Sequence, residues 1–377
     1  MTTDTNEHRS ALRASVADFT ERGTDLARVR SLRGAPAEYD RAVWRQMADL
    51  GWLGILVPER YQGLGLGLDE AAIVAEGVGQ ALLPEPFTAS AVLAAGVLAG
   101  SDNETLKQHL LPQAVAGTLI PAFAWQEHAG TLDVGAIETQ AEPAAGGFRL
   151  NGSKRFIAGA DGADGYIVSA KTANGIELFW LRRDTAGAVL TLEPLADGRH
   201  FGVLTLSDAI VPSEHKAAGA VTARPALEQA LDHGAVIAAA ELCGVMDRAL
   251  EMSLDYMKTR VQFGKPIGSF QALQHRAADL YIQQQLSSAV LEEVLYALDQ
   301  NPDARARATQ ASRVKARCSD AGLRITREAI QIHGAIGFTD EYDAGLYLKR
   351  ALVLSAWLGN AALHRRRYAR LAAEVRA

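Results

Sequence analysis

The sequence predicts an α+β, mainly helical fold: a helical first domain over residues 1–118, an antiparallel β domain over 119–218 and a four-helix bundle over 219–377. Three observations predict it. Apolar residues recur at helical spacing towards both ends of the chain, the period shortens to two in the middle, and Gly, Pro and Asn gather where one pattern gives way to the next. With 377 residues, 48% of them hydrophobic, the chain is long enough to bury cores for two or three domains.

Over residues 7–113 the pattern is helical, with Trp44, Met47, Leu50 and Leu53 three apart, and breaks at Pro58, at the glycines of 63–67, and at Pro84 and Pro86. The run GLGLGL from Gly63 has the look of a dinucleotide fingerprint. That motif needs a strand before it, a helix at its last glycine and a βαβ frame, so the run reads instead as a turn between helices. Between residues 119 and 214, Phe148 and Leu150 alternate ahead of Asn151-Gly152, a dipeptide favoured in hairpin turns. Residues 141–147 read as a mobile loop, and the apolar runs 166–168 and 178–181 as strands. After Pro225 the helical period returns over roughly 226–260, 269–298, 304–332 and 343–375, a four-helix bundle.

Net charge −6 and a pI near 5.9 give no general attraction to nucleic acid or to an anionic membrane, so neither is expected as a partner. The opening MTTDTNEHRS lacks the basic and apolar regions of a signal peptide, and no segment approaches a charge-free membrane span; the cytoplasm is the expected location. The two cysteines, Cys243 and Cys318, sit in helical patterns without CxxC or Cys/His spacing, so neither a disulfide nor a metal is expected.

The most informative stretch is YMKTRVQFGKPIGSFQALQH, residues 256–275, lying between two helical patterns. Arg260 offers a planar donor fork suited to pyrophosphate, Phe263 a flat apolar face, and Gln271 a group that both donates and accepts. Residues 264–269 interrupt the helix. Three further stretches follow the same order and spacing as one known family: WRQMADLGWLGILVPERYQGLGLG from Trp44, RLNGSKRFIAGADGADGYIVSAK from Arg149 and QIHGAIGFTDEYDAGLYLKR from Gln331. Together they resemble the acyl-CoA dehydrogenase family from about residue 52 to 370, nearly the whole chain.

The resemblance implies an order of helical, β and helical domains, and FAD as cofactor. In related enzymes the residues matching Arg260 and Phe263 touch the FAD of a neighbouring subunit, and the match of Gln271 helps to hold it; Gln262 and Phe270 belong to the same segment. Gln331, His333, Gly334 and Ala335 open a second cofactor segment, with Ala335 in place of a common glycine. FAWQEHAGTLDV from Phe123, which contains Trp125 and Glu127, is similar to the segment that lies along the flavin, and RFIAG from Arg155 to the strand behind the ring. Residues 128–133 depart from the family's glycine-serine pattern, and Phe156 stands where many relatives carry tryptophan.

Dehydrogenating an acyl thioester requires a carboxylate that removes the α proton while a hydride leaves Cβ from the opposite side. Many family members place this glutamate after the segment matched by Lys349 and Arg350, but here SAWLGNAALH from Ser355 supplies Leu358, Gly359 and Asn360 and no acid. Glu241, flanked at helical spacing by Ile237, Ala238, Gly244 and Val245, is the substitute: an apolar face strips a carboxylate of water and suits it to take a proton near neutral pH. The alternative is a structural glutamate, paired for instance with Arg248.

The resemblance therefore implies an acyl-CoA dehydrogenase that makes a trans-2-enoyl-CoA and passes electrons to an electron-transfer flavoprotein. It implies a homotetramer, or an α2β2 assembly with a homologous subunit. The missing late glutamate raises a second expectation, a non-catalytic or FAD-sharing subunit of such an assembly; an oxidase using oxygen is a third. Fatty, branched, cyclic and sterol-derived acyl groups all stay open.

Overall fold

The computed structural model of the protein describes residues 2–23, 26–33 and 39–373. The helices of the first part are α1 (Thr2–Gly23), α2 (Leu26–Ser31), α3 (Arg41–Asp49) and α4 (Leu68–Ala81). A π-helical segment (Phe87–Ala94) then runs into α5 (Ala95–Ala99), followed by α6 (Glu104–Val115). The strands are β1 (Pro121–Ala124), β2 (Gln140–Ala144), β3 (Gly147–Ala158), β4 (Gly165–Thr172), β5 (Gly175–Arg182), β6 (Ala188–Pro194), β7 (His200–Pro212) and β8 (Lys216–Ala218). The last part holds α7 (Ala220–Thr259), α8 (Gln271–Asp299), α9 (Ala304–His333), α10 (Ala344–Ala356) and α11 (Ala361–Ala373). Mainly helical with a central sheet, this is the predicted fold class.

The chain divides into two compact units. One comprises Ser31–Ala71 and Pro84–Gly234, the other Met1–Arg30, Ala72–Leu83 and Ala235–Ala377.

In the first unit Asp40 caps α3 by accepting from Ala42 N at 2.7 Å. Trp44 and Met47 turn inward, 1% and 0% exposed, and burying side chains of this size stabilises by roughly 2–3 kcal/mol each. The predicted three-residue repeat ends sooner than expected: Gly51 adopts φ 79° and stops the helix, leaving Leu50 43% exposed.

The sheet runs β6-β7-β3-β2-β4-β5-β8, with β1 beside β4. Its pairs are antiparallel apart from β1–β4 and the single β2–β4 bridge at Gln140 and Lys171. The core beneath it includes Leu150, Ile157, Tyr166, Val168, Phe179 and Leu204. Strands were expected at 166–168 and 178–181, and they lie inside β4 and β5.

Two local expectations need correction. Asn151-Gly152 is not a hairpin turn but part of β3, and residues 141–147 are not a loop: Ala145 and Gly146 form the β2–β3 turn. The dipeptide serves another purpose. Asp208 of β7, at φ 53°, makes a bulge opposite Asn151, which accepts from Asp208 N at 2.8 Å, and a Cβ on Gly152 would stand 2.6 Å from Thr139 Oγ1.

In the second unit α4 and α7 cross with their backbones in contact. A Cβ on Gly79 would meet Glu241 O at 2.1 Å, and one on Gly244 would meet Glu76 O at 1.9 Å. The predicted fourth helix, 343–375, is two helices, α10 and α11, because Leu358 and Gly359 take φ 55° and 95°. Among the described residues no helix is long and apolar enough to cross a membrane.

Candidate functional site

Helix α7 ends where Arg260 begins a two-residue ladder, Val261–Gln262 against Lys265–Pro266. Phe263 and Gly264 form its turn, both left-handed at φ 53° and 78°. That is the pairing of a type I′ turn, which ordinarily favours Asn or Gly at the place phenylalanine occupies. The strained backbone holds the Phe263 ring out, 92% exposed, with its centroid 6.1 Å from that of Phe270 in an edge-on contact. Lys265 Nζ stands 4.4 Å over the Phe270 ring. Arg260 is exposed, and its guanidinium donates to no described residue. Gln262 and Gln271 are exposed on the same segment.

The second predicted segment starts at the C-terminus of α9. Gln331 and Ala335 are exposed, while His333 is buried between the rings of Tyr256 and Tyr342, with centroids at 4.5 Å on each side. Its Nδ1 bonds Ala329 O at 2.7 Å, and burial lowers its pKa, so the ring acts as a packing group. Gly334 ends the helix at φ 64°, and a Cβ there would meet nothing within 4 Å. The backbone is thus bare and approachable. Close by in sequence, Phe338 is 83% exposed.

Glu241 is buried in α7, 1% exposed. Its partner is not Arg248, which pairs with Glu251, but Arg350 of α10, whose Nε and Nη2 donate to Glu241 Oε1 at 2.8 and 2.6 Å. Sequence reasoning missed this pair, although Arg350 falls on the buried face of α10 with Leu346, Tyr347 and Leu354.

The stretch that lacks the late glutamate is shaped by a second missed residue. Lys315 of α9, fully buried, donates to Leu354 O at 2.8 Å, to Gly359 O at 3.0 Å and to Ser319 Oγ at 3.2 Å, gathering the carbonyls at the end of α10. Burial lowers its pKa to about 7. His364, whose Nε2 lies 2.8 Å from Leu358 O, is lowered to about 3 by burial and then by the Lys315 charge. Where the sequence reading looked for the late acid, this chain has a helix break tied by an amine.

In the other unit Trp125 is 6% exposed at the end of β1. The Glu127 carboxylate is already engaged, by Thr139, the Glu138 amide and Lys154. Phe156 sits on a β3 bulge at φ 59°, its ring 6.2 Å from that of Phe201.

Comparison with known proteins bears on the chain as a whole. The acyl-CoA dehydrogenase N-terminal domain model matches residues 6–118 and the C-terminal domain model residues 224–372. Acyl-CoA dehydrogenase IpdE2 of Mycobacterium tuberculosis is 31% identical over 92% of this chain and 91% of its own. The chain belongs to the acyl-CoA dehydrogenase family. Family members are oxidoreductases of the CH–CH group and bind FAD. A chain of the ChsE4–ChsE5 complex of M. tuberculosis superposes with TM-score 0.88 at 28% identity, covering 99% of this chain and 98% of that one. A chain solved in work on the electron-transferring flavoprotein of Acidaminococcus fermentans gives TM-score 0.90 at 27% identity, over 100% and 99% of the two chains.

The residues present fit FAD. An unengaged guanidinium suits a pyrophosphate, an outward phenylalanine ring suits a flat heterocycle, and Gly334 leaves its backbone open to close approach.

Proposed function

We propose that the protein works in the FAD-dependent α,β-dehydrogenation of an acyl-CoA thioester to a trans-2-enoyl-CoA, with the electrons leaving to an electron-transfer flavoprotein. The observation that carries this reading is the outward-facing group of Arg260, Phe263 and Gly334 on a family fold. Bound FAD supplies the acceptor for the two electrons removed from the Cα–Cβ bond. For its part the chain binds the cofactor: Arg260 by its donor fork, Phe263 by its face, Gly334 by its bare backbone. Those groups point away from their own unit's core, which supports the expectation that a second chain completes the site.

Proton removal has two readings. In one, Glu241 is the base and Arg350 orients it, as its burial in α7 allows. In the other, the pair is a structural clamp, and the chain is the FAD-sharing subunit of a mixed assembly in which a homologous chain carries the base. The commitment of Glu241 Oε1 to Arg350, with Leu358, Gly359 and Asn360 where the late acid would stand, favours the second. Similarity to a chain of the two-component ChsE4–ChsE5 complex supports it as well.

The test is to purify the chain alone with FAD, then measure bound flavin, mass and acyl-CoA-dependent dye reduction over a panel of thioesters. Flavin with turnover, lost in Glu241→Gln while FAD stays bound, supports Glu241 as the base. Turnover that appears only when a homologous chain is added supports the mixed assembly. Folded protein that binds no flavin, alone or with such a chain, sinks both.

A further inference from the structure

The β domain contains a buried cation that the reading above leaves without a role. Lys154 of β3 has a side-chain exposure of 0%. Its Nζ donates to Glu127 Oε1 at 2.6 Å, to Ser169 Oγ of β4 at 3.0 Å and to Trp125 O at 3.3 Å, so its three protons meet three acceptors. An apolar side chain of the same length would take the counter-charge from Glu127 and leave Trp125 O with Ser169 Oγ as its side-chain donor.

Glu127 extends the connection. Its Oε2 accepts from Glu138 N at 2.6 Å, and Oε1 accepts from Thr139 N at 3.0 Å and Thr139 Oγ1 at 2.7 Å. One carboxylate therefore pins both ends of the loop 128–137 together at its neck. From the other side, the β3 bulge that follows Lys154 lets Arg155 N donate to Gln126 O at 2.7 Å and turns out the Phe156 ring. The extension 125–127 is thus tied by Lys154 and Ser169, by the Arg155 amide and by its own loop.

We infer that Lys154 is a positioning residue for the cofactor: acting through Glu127, it fixes the extension 125–127 and the neck of the loop 128–137 in the one arrangement that receives the flavin. The inference rests on the FAD reading above and on the resemblance of residues 123–134 to the segment that lies along the flavin. It also reassigns Glu127 from touching the cofactor to holding the segment that does. Both charges persist at neutral pH. Burial lowers the Lys154 pKa to about 8 against the opposing pull of Glu127; burial works to raise that of Glu127, but the charge and hydrogen bond of Lys154 together with the two hydrogen bonds from Thr139 carry the net direction down.

The experiment compares wild type, Lys154→Met and Lys154→Met with Glu127→Leu, each full length and supplied with FAD and, where needed, a homologous chain. Three quantities are read: the FAD dissociation constant, the visible spectrum of bound flavin, and hydrogen exchange at the amides of Glu138 and Thr139. For Lys154→Met the expected result is exchange at those amides and an FAD dissociation constant both raised roughly tenfold or more, with shifted flavin bands. The double variant should regain melting temperature without regaining FAD affinity. If Lys154→Met does not fold, Ser169→Ala, which removes one acceptor, takes its place, with a rise of roughly threefold expected. Faster exchange with unchanged FAD affinity and spectrum overturns the inference, since Lys154 would then serve the fold alone. Wild type that binds no FAD overturns the cofactor reading instead, so the two failures are told apart.

Discussion

The buried pair of Glu241 and Arg350 shows how much one contact between distant residues can decide. Removing one partner strands the other: Arg350→Met leaves a carboxylate at 1% exposure without that cation, which should cost about 3–5 kcal/mol in urea unfolding. Pairing it with Glu241→Leu should recover most of that loss. If the single variant unfolds at the wild-type midpoint, the pair does not support the fold. The double variant also bears on catalysis, because a clamp can be replaced by apolar side chains and a base cannot. The sequence displayed Glu241 as an acid on an apolar face, and nothing near it in the chain pointed to a partner in α10.

Among the elements, the α4–α7 crossing holds a second acid whose titration is measurable. Glu76 is raised to about 7, first by burial and then by the Asp247 charge, with Glu292 adding and Arg13 opposing. The folded chain therefore holds a proton that the unfolded chain has released at pH values between about 4.5 and 7. Stability from this group is present below that window and is lost as pH rises through it. Glu76→Gln should remove that slope and raise stability at pH 8 by about 2 kcal/mol, seen as a higher urea midpoint at pH 8 than at pH 5 relative to wild type. An unchanged difference between the two pH values counts against the assignment.

Element identity was largely legible, because long apolar periods identify α7, α8 and α9, and alternation identifies β4 and β5. What failed was local. Gly359 inside a continuing apolar period reads as a tolerated glycine, whereas Lys315 and His364, from α9 and α11, hold the carbonyls where the helix stops. Asn151-Gly152 reads as a turn because its composition suits one, yet the close approach of Thr139 is what calls for the glycine. Lys154 carried a usable signal: it stands on the inward register of β3 with Leu150 and Ile157, where a charge needs a partner.

At the scale of the whole molecule, the proposed cofactor residues differ from the buried pairs in how they are placed. Arg260, Phe263 and Gly334 lie in compact strings and project outward, so their neighbours in sequence already describe their chemistry. Glu241 and Arg350, and likewise Lys154 and Trp125, meet only through the fold. Replacing the outward ring tests the shared site directly. Phe263→Ser should change the unfolding free energy of the unassembled protomer by no more than about 1 kcal/mol, since the ring packs on little and its left-handed backbone is costly. It should also lower both flavin content and assembled mass. Normal mass and full flavin in that variant would remove Phe263 from the interface.

The two bare phenylalanines have a practical corollary. A lone protomer displays Phe263 and Phe338 to solvent at 92% and 83%, two apolar rings that assembly on the proposed reading would cover. On the mixed-assembly reading, co-expression with the homologous chain should give a higher soluble yield than this gene alone, while a homotetramer would show no such gain.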